Sequence, residues 1–494
     1  MRRVVGPTDH VVVVGAGLGG LSAALRLAGA GRRVTVLERE TVPGGRAGLL
    51  ELGGYSFDTG PSVLTMPDLI ADALDCVGES MEDWLTLRPV SPLYRAQYAD
   101  GSSLDVHASV DEMAASIASV CGPKEADGYR RFVSFVSDLY RLEMRDFIDR
   151  NVDSPLGLLR PSLARLAALG GFRRLAPKVE QFLQDERTQR VFSFQAMYAG
   201  LSPYDALAIY AVIGYMDSVA GVFFPEGGMH AVPRAMAGAA EKHGVEFRYG
   251  TEVAWVERSG ARATAVVTTG GERVPCHAVV LNPDLPASRR LIGAPVRRRL
   301  RWSPSCFVLL GGSSRSYGDA HHTISFGHEW KKVFDELLGG RLMSDPSFLV
   351  TSPTASDPSL APAGKSSYYV LFPTPNLDAP ISWATERDRY LDHVVGMLES
   401  RGWPGFGDSL EVVETTTPLD WADRGMERGT PFAAAHTFGQ TGPFRPRNLW
   451  GENVVFTGSG TVPGVGVPMV LVSGRLAAER VLGPDPSYRS RAWV

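Results

Sequence analysis

The residues with the clearest chemical purpose lie near the start of the chain. Gly15-Ala16-Gly17-Leu18-Gly19-Gly20 supplies G-x-G-x-x-G directly after the β-branched run Val11 to Val14. Behind it Leu21, Ala24, Leu25 and Ala28 recur at helical spacing. A strand that turns through glycines into a helix is built to receive an anion. The first glycine permits the tight turn, the second lets a pyrophosphate approach the backbone, and the third lets helix and strand close together, while helix N–H groups face the negative charge. Val34, Val36 and Leu37 form the next strand, which Glu38 ends 18 residues after Gly20. A carboxylate there can bind ribose hydroxyls and would repel a 2′-phosphate. The bland alternative, a glycine turn without a ligand, fits poorly with strand, helix and acid all in place.

Three further segments point to FAD rather than to a nicotinamide dinucleotide. In Pro43-Gly44-Gly45-Arg46-Ala47 two glycines let the backbone pass close to a ligand. Arg46 there can offer its guanidinium to a phosphate or to the ribityl side. Thr251-Glu252-Val253 follows a strand, where a backbone edge can meet adenine, although Val253 alone would read as core. Gly458-Ser459-Gly460 follows the strand Val454 to Thr457, and Gly464-Val465-Gly466-Val467-Pro468 opens the last helix. That turn would aim N–H groups at the pyrimidine edge of an isoalloxazine ring, where reduction leaves negative charge.

These motifs need a scaffold larger than one core can supply, and 494 residues imply several joined lobes. The expected fold class is α/β: a Rossmann-like FAD-binding domain with an interleaved α+β substrate domain and a helical lobe. Residues 1–75, 225–300 and 445–494 are assigned to a discontinuous FAD-binding domain, 76–224 to the helical lobe, and 301–444 to a substrate domain of mixed strands. From about Leu74 to Ala220 the pattern is mainly helical. A helix is expected from Gly228 to His243, and another from Pro468 to Val481. Strands are expected around Val245 to Tyr249, Ala263 to Thr268, Ala278 to Leu281, Cys306 to Leu310 and Tyr368 to Phe372.

Several function classes are disfavoured. A net charge of −4 gives no electrostatic reason to bind nucleic acid. Cys76, Cys121, Cys276 and Cys306 lie far apart, which suits neither a disulfide framework nor a zinc site and favours a reducing cytoplasm. Met1-Arg2-Arg3 ahead of the valines imitates a secretion signal, but glycines stand where a cleavage site should be. His321, His322 and His328 have no Cys or carboxylate at a recognised ligand spacing, so no metal is expected. Asp146 and Asp149 read as a solvated acidic face, and no catalytic base is assigned.

The motifs together resemble the phytoene desaturase family, within the flavin amine oxidase superfamily. The likeness runs almost end to end, through Phe57-Asp58-Thr59-Gly60-Pro61-Ser62, Phe224-Pro225-Glu226-Gly227-Gly228-Met229, His321-His322-Thr323-Ile324, Asp357 to Pro362 and Val370 to Leu377. Gly458 to Pro468 resembles the family's G-A-G-T-H-P-G-A-G-I-P signature, with Val462 in place of its histidine. The resemblance implies FAD contacts at Gly15, Gly17, Gly20, Glu38, Arg39, Gly44, Gly45, Arg46, Thr59, Gly60, Pro61 and Val253. In the C-terminal signature it implies them at Gly458, Ser459, Gly460, Val467, Pro468 and Met469. It further implies desaturation of a long polyene hydrocarbon, by hydride loss from an allylic carbon to flavin N5 and then proton loss. Oxygen or a quinone would be the electron acceptor. Rivals are a polyene isomerase, a ketolase, a retinoid saturase or an amine oxidase. A further rival, of a different class, is a non-enzymatic lipid binder like the Rab GDP-dissociation inhibitors. The intact dinucleotide motifs speak against that last reading.

An insoluble hydrocarbon must come from a bilayer, yet no run of 18 apolar residues spans one. Peripheral membrane docking is therefore expected through residues 151–178. There Leu156, Leu158, Leu159, Leu163, Leu166 and Leu169 are interleaved with Arg160, Arg165, Arg173, Arg174 and Lys178.

Overall fold

The computed structural model describes residues 1–154, 157, 160–295, 300–318 and 320–484. The N-terminal strand His10–Val14 is wholly buried and lies in a six-stranded sheet. Its parallel neighbours are Arg33–Leu37 on one side and Ala278–Leu281 on the other. Val454–Phe456 extends the sheet in parallel beyond Ala278–Leu281, and Glu246–Arg248 beyond Arg33–Leu37. The short strand Leu449–Trp450 closes one edge antiparallel.

Four consecutive valines suit the first strand because both of its faces are covered. Val11 and Val13 pack with Leu21, Ala24 and Leu25 of the helix Leu18–Gly29. That layer also holds the helices Ala231–Lys242 and Val467–Leu482. Val12 and Val14 pack on the opposite face, against Val256, Val266 and Val274 of an antiparallel meander. The meander is formed by Val253–Ser259, Arg262–Thr268 and Arg273–Pro275. The sheet thus draws its strands from three separated stretches of chain.

A second, seven-stranded sheet is built mainly from the antiparallel strands Leu410–Thr416, Ser305–Ser313, Ser366–Thr374, Phe348–Thr351 and His322–Phe326. One face, with Phe307, Leu309, Phe348, Val370 and Phe372, is covered by the helix Trp383–Ser400. The other turns Cys306, Leu310, Tyr369 and Leu371 inward, towards the site described below.

One part of the sequence reading is corrected here. Residues Tyr94–Tyr98 and Ser103–Val106, placed in the helical lobe, are the last two strands of this second sheet, joined through a parallel pairing with His322–Phe326. Tyr94, Ala96 and Tyr98 alternate buried with half-buried Arg95 and Gln97, a period-two signal lost between longer helical patterns. The rest of the stretch is helical, with Val110–Cys121, Pro123–Glu143, Pro161–Ala168 and Val212–Ser218 among its helices. No helix among the described residues is long and apolar enough to cross a membrane.

Candidate active site

A single cavity of about 1550 Å³ runs from the glycine fingerprint, past the inward face of the second sheet, to the helical segment. Of the residues expected to contact FAD, all but Gly20 and Gly460 line it. Those two are corrected from ligand contacts to packing positions. A Cβ on Gly20 would stand 2.2 Å from the Gly15 carbonyl oxygen, and one on Gly460 would stand 2.8 Å from Leu285 Cβ. Each glycine lets two backbones touch, so neither faces the cavity.

The fingerprint turn is held by its neighbours. Gly15 has φ +95°, and its N–H donates to Leu37 at 2.8 Å. Glu38 is buried, accepting from the Ala16 N–H at 2.6 Å and the Glu40 N–H at 3.0 Å. Its carboxylate therefore sits at the positive end of the helix Leu18–Gly29, at the carboxyl edge of the parallel strands. Gly44 donates to the Ala16 carbonyl at 2.9 Å, and Gly45 lies so close that a Cβ would stand 3.3 Å from Gly17 Cα. The two glycine loops form one continuous floor.

Arg46 crosses this floor. It donates to Ser459 Oγ at 2.7 Å and to Asp284 at 2.8 Å, which ties the first glycine loop to the last. Its Nε is buried without a partner. Arg39 lies at the exposed rim, bonded to Glu40 and to the Arg424 carbonyl. Thr59 donates through its N–H to the Gly48 carbonyl at 3.1 Å. A Cβ on Gly60 would stand 1.8 Å from the Arg46 carbonyl, which accounts for that glycine. Val253 begins the meander beside Thr251, whose N–H donates to the Glu38 carbonyl at 2.8 Å.

Two motifs of unassigned purpose prove to be fasteners. Asp58 accepts from the N–H groups of Met229 at 2.8 Å and His230 at 3.0 Å, capping the helix Ala231–Lys242 from a distant strand. Burial pushes its carboxyl up to about 6. His230 Nδ1 meets the Ala47 carbonyl at 2.8 Å, so this histidine faces the backbone of the glycine loop.

Sequence reasoning missed Asn282 and Asp284. The Asn282 side chain lies inside the fingerprint turn, where a Cβ on Gly17 would stand 2.6 Å from its Nδ2. Asn282-Pro283-Asp284 follows a fully buried parallel strand, and that position at a strand's carboxyl end was the available signal. His436 and Arg445 were missed as well. The His436 ring lies against Gly464, and burial pushes its imidazole well below the usual range, so it is neutral. Arg445 is buried and donates to the carbonyls of Ser459, Thr461, Ala434 and Gln440, with burial pushing it down to about 10. It remains a cation at neutral pH, beneath the Ser459–Thr461 loop.

Other expectations change. Asp149 is no solvated acid: it is 2% exposed and ion-paired with Arg475. Asp146 lies in the turn Met144–Ile148 and makes no contact with the cavity. His321 Nδ1 meets Ser356 Oγ at 2.6 Å and His322 Nδ1 meets Thr351 Oγ1 at 2.9 Å, so both histidines pair with hydroxyls. Leu156, Leu158 and Leu159 lie outside the described residues. Leu166 is buried, and with Leu163 it lines the cavity instead of facing outward.

The geometry suits a dinucleotide. Helix N-termini begin at Leu18 and Val467 beside the cavity, Arg46 and Asn282 offer polar groups, and a Cβ on Gly466 would meet nothing within 4 Å.

Comparison with known proteins agrees. The family described as flavin containing amine oxidoreductase matches residues 18–482. A phytoene dehydrogenase of Streptomyces griseus is 59% identical over 98% of this chain and 97% of its own. A zeta-carotene-forming phytoene desaturase of Myxococcus xanthus is 36% identical over 96% of this chain and 94% of its own. Among solved structures, a putrescine oxidase variant aligns with a TM-score of 0.63 at 16% identity, covering 97% of this chain and all of its own. A Rab GDI of Plasmodium falciparum aligns at 0.56 and 11% identity, covering 96% of this chain and 98% of its own. Those two likenesses speak for the fold alone. The family match and the near full-length relatives settle the rest: the chain is an FAD-dependent oxidoreductase and belongs to the flavin-containing amine oxidoreductases, in their phytoene desaturase group.

Proposed function

We propose that the chain desaturates a long polyene hydrocarbon, phytoene or a related carotenoid precursor, at the CH2–CH2 bonds beside its conjugated system. The observation that carries this reading is the shape and lining of the cavity. At about 1550 Å³ it exceeds the ~300–1,000 Å³ usual for a drug-sized ligand, which leaves room for a cofactor and a long substrate together. Past the glycine loops its walls are Ile209, Ile213, Met216, Leu166, Leu349 and Leu371. A hydrocarbon offers no polar handle, so such walls select by length and shape. The bound flavin supplies the hydride acceptor, and the chain's task is to hold the allylic carbon near it and keep water away.

The same reading includes docking at a membrane surface on the cytoplasmic side. Phe172, Phe438 and Phe444 line the cavity yet are 42%, 61% and 41% exposed, an aromatic rim at its opening. In sequence, the exposed cations Arg160 and Arg165 precede Phe172, and the exposed Arg173 and Arg174 follow it directly. Aromatic rings beside cations suit insertion at an anionic headgroup boundary. The proposed contact is therefore the rim rather than the leucines, since Leu163 and Leu166 line the cavity.

Product analysis tests the activity. The holoenzyme, given phytoene in liposomes under air or with a quinone, is expected to yield more conjugated polyenes. A chain that holds FAD but leaves phytoene and its partly desaturated relatives unchanged would refute the reading. Co-sedimentation tests docking: binding to anionic vesicles is expected to fall when the four arginines become Glu, and unchanged binding would place the contact elsewhere.

A further inference from the structure

The carboxyl residues lining the cavity are Glu38, Glu40, Glu143, Glu252, Asp284 and Glu414. Glu38 and Asp284 are engaged in the cofactor loops, and Glu40, Glu252 and Glu414 are exposed. Glu143 differs. It closes the long helix Pro123–Glu143, is 5% exposed, and has a buried Oε1 with no hydrogen-bond partner. Its surroundings are apolar, with Phe147 and Ile148 one turn on, and Ile213 and Met216 from the packed helix Val212–Ser218. A carboxyl buried without a partner costs stability, so its persistence calls for a chemical reason.

The end of the cavity it occupies suits a reacting centre. Tyr210 lines the same cavity, and its hydroxyl meets Thr441 Oγ1 at 2.5 Å and donates to the His436 carbonyl at 3.2 Å. The His436 ring in turn lies against Gly464, in the loop that opens the last helix. Glu143 and the glycine loop expected beside the isoalloxazine thus line one cavity.

Loss of hydride from an allylic carbon leaves a cation spread over the polyene, and desaturation finishes only when the adjacent carbon gives up a proton. The cavity walls past the glycine loops are mainly apolar, and the buried polar groups there without a full set of partners include Glu143 and the neutral His436, so the proton needs one of few protein acceptors. We propose that Glu143, in its ionised form, is this acceptor, an inference that rests on the desaturase reading. The adjacent C–H bond breaks, its electron pair becomes the new C=C bond, and the proton forms an O–H bond on the carboxylate. The two electrons of oxidation have already left with the hydride to the flavin. Burial pushes the carboxyl well above the usual range, so the ionised form is the scarcer one at neutral pH and, when present, a strong base; turnover is therefore expected to rise with pH.

The test compares wild type, Glu143→Gln and Glu143→Met holoenzymes with phytoene in phosphatidylcholine liposomes, reading FAD content, melting temperature and turnover. Glu143→Gln is expected to keep its FAD and lose turnover about 100-fold or more, the scale of general-base catalysis. Glu143→Met is expected to melt at or above the wild-type temperature and to be as inactive, a split that a structural carboxylate would not give. Turnover of Glu143→Gln within threefold of wild type overturns the assignment, and so does loss of FAD or of folding in both variants. If wild type itself forms no product, the desaturase reading fails instead.

Discussion

Removing Arg46 separates two effects that the structure joins. Its guanidinium reaches Ser459 and Asp284, with Arg46 30% and Asp284 4% exposed. In Arg46→Ala the Asp284 carboxylate keeps one hydrogen bond, from the Glu427 N–H at 3.3 Å, and the more distant charge of Arg445. Orphaning a fully buried charge costs about 3–5 kcal/mol, but water reaches the space a partly exposed arginine vacates. The apoprotein is therefore expected to lose about 1–3 kcal/mol of stability. FAD binding should weaken separately, by about 1.5–3 kcal/mol for a charged hydrogen bond, or roughly 10- to 150-fold in Kd. Adding Asp284→Asn isolates the two, because it removes the stranded charge without restoring the cation. Thermal melting of the apoproteins should show the double variant recovering stability. Titration with FAD, followed by flavin fluorescence, should show affinity still reduced. If Arg46→Ala binds FAD within twofold of wild type, Arg46 is a strut between loops and the argument for a cofactor contact falls.

Three further outcomes are expected. Gly17→Val would drive a side chain into Asn282 and the dinucleotide floor, so the variant should purify without flavin absorbance; full FAD occupancy would mislocate the site. Asp58 has a folded-state carboxyl raised from its ordinary value of 3.8 to about 6, so the folded protein holds this proton more tightly than the unfolded chain. The associated stability is fully present below about pH 4 and is lost as pH rises through about 6, by up to roughly 3 kcal/mol. Melting of wild type relative to Asp58→Asn across pH 4–7 should show that decline, and parallel curves would contradict it. Turnover should need no NAD(P)+, since the one complete glycine fingerprint belongs to the FAD site; strict dependence on added NAD(P)+ would overturn this.

The parts of the site legible in the sequence are those where backbone chemistry forces residue type. Gly15 needs a positive φ, Glu38 must end the second strand, and Val11 to Val14 must be apolar on both faces. Such demands leave a local signature. Asn282 and Asp284 were missed because an Asn-Pro-Asp turn has no signature of its own and gains meaning only from the parallel strand beneath it. The Tyr94–Tyr98 and Ser103–Val106 hairpin was missed because its alternation is short, and its place in the sheet comes from His322–Phe326, more than two hundred residues away. Leu163 and Leu166 looked like an outward apolar stripe, and only the cavity behind them shows which way they turn. Glu143 sits in an ordinary helical pattern, and its burial comes from other elements.

The order of strands in the first sheet also sets a timetable for synthesis. The glycine fingerprint leaves the ribosome within the first twenty residues, yet Ala278–Leu281, which flanks its strand, is made much later. The next neighbour, Val454–Phe456, and the helix Val467–Leu482 that packs on Leu18–Gly29 come almost at the end. Until Ala278–Leu281 is made the valine strand lacks a partner on one side, and until the last fifty residues are made the Gly458–Met469 wall of the cavity does not exist. A nascent chain must keep that apolar edge from pairing with others through most of translation, which makes it a natural client for chaperones. FAD can be captured only by a chain finished nearly to its C-terminus, so flavin content in a preparation reports full-length, correctly closed molecules.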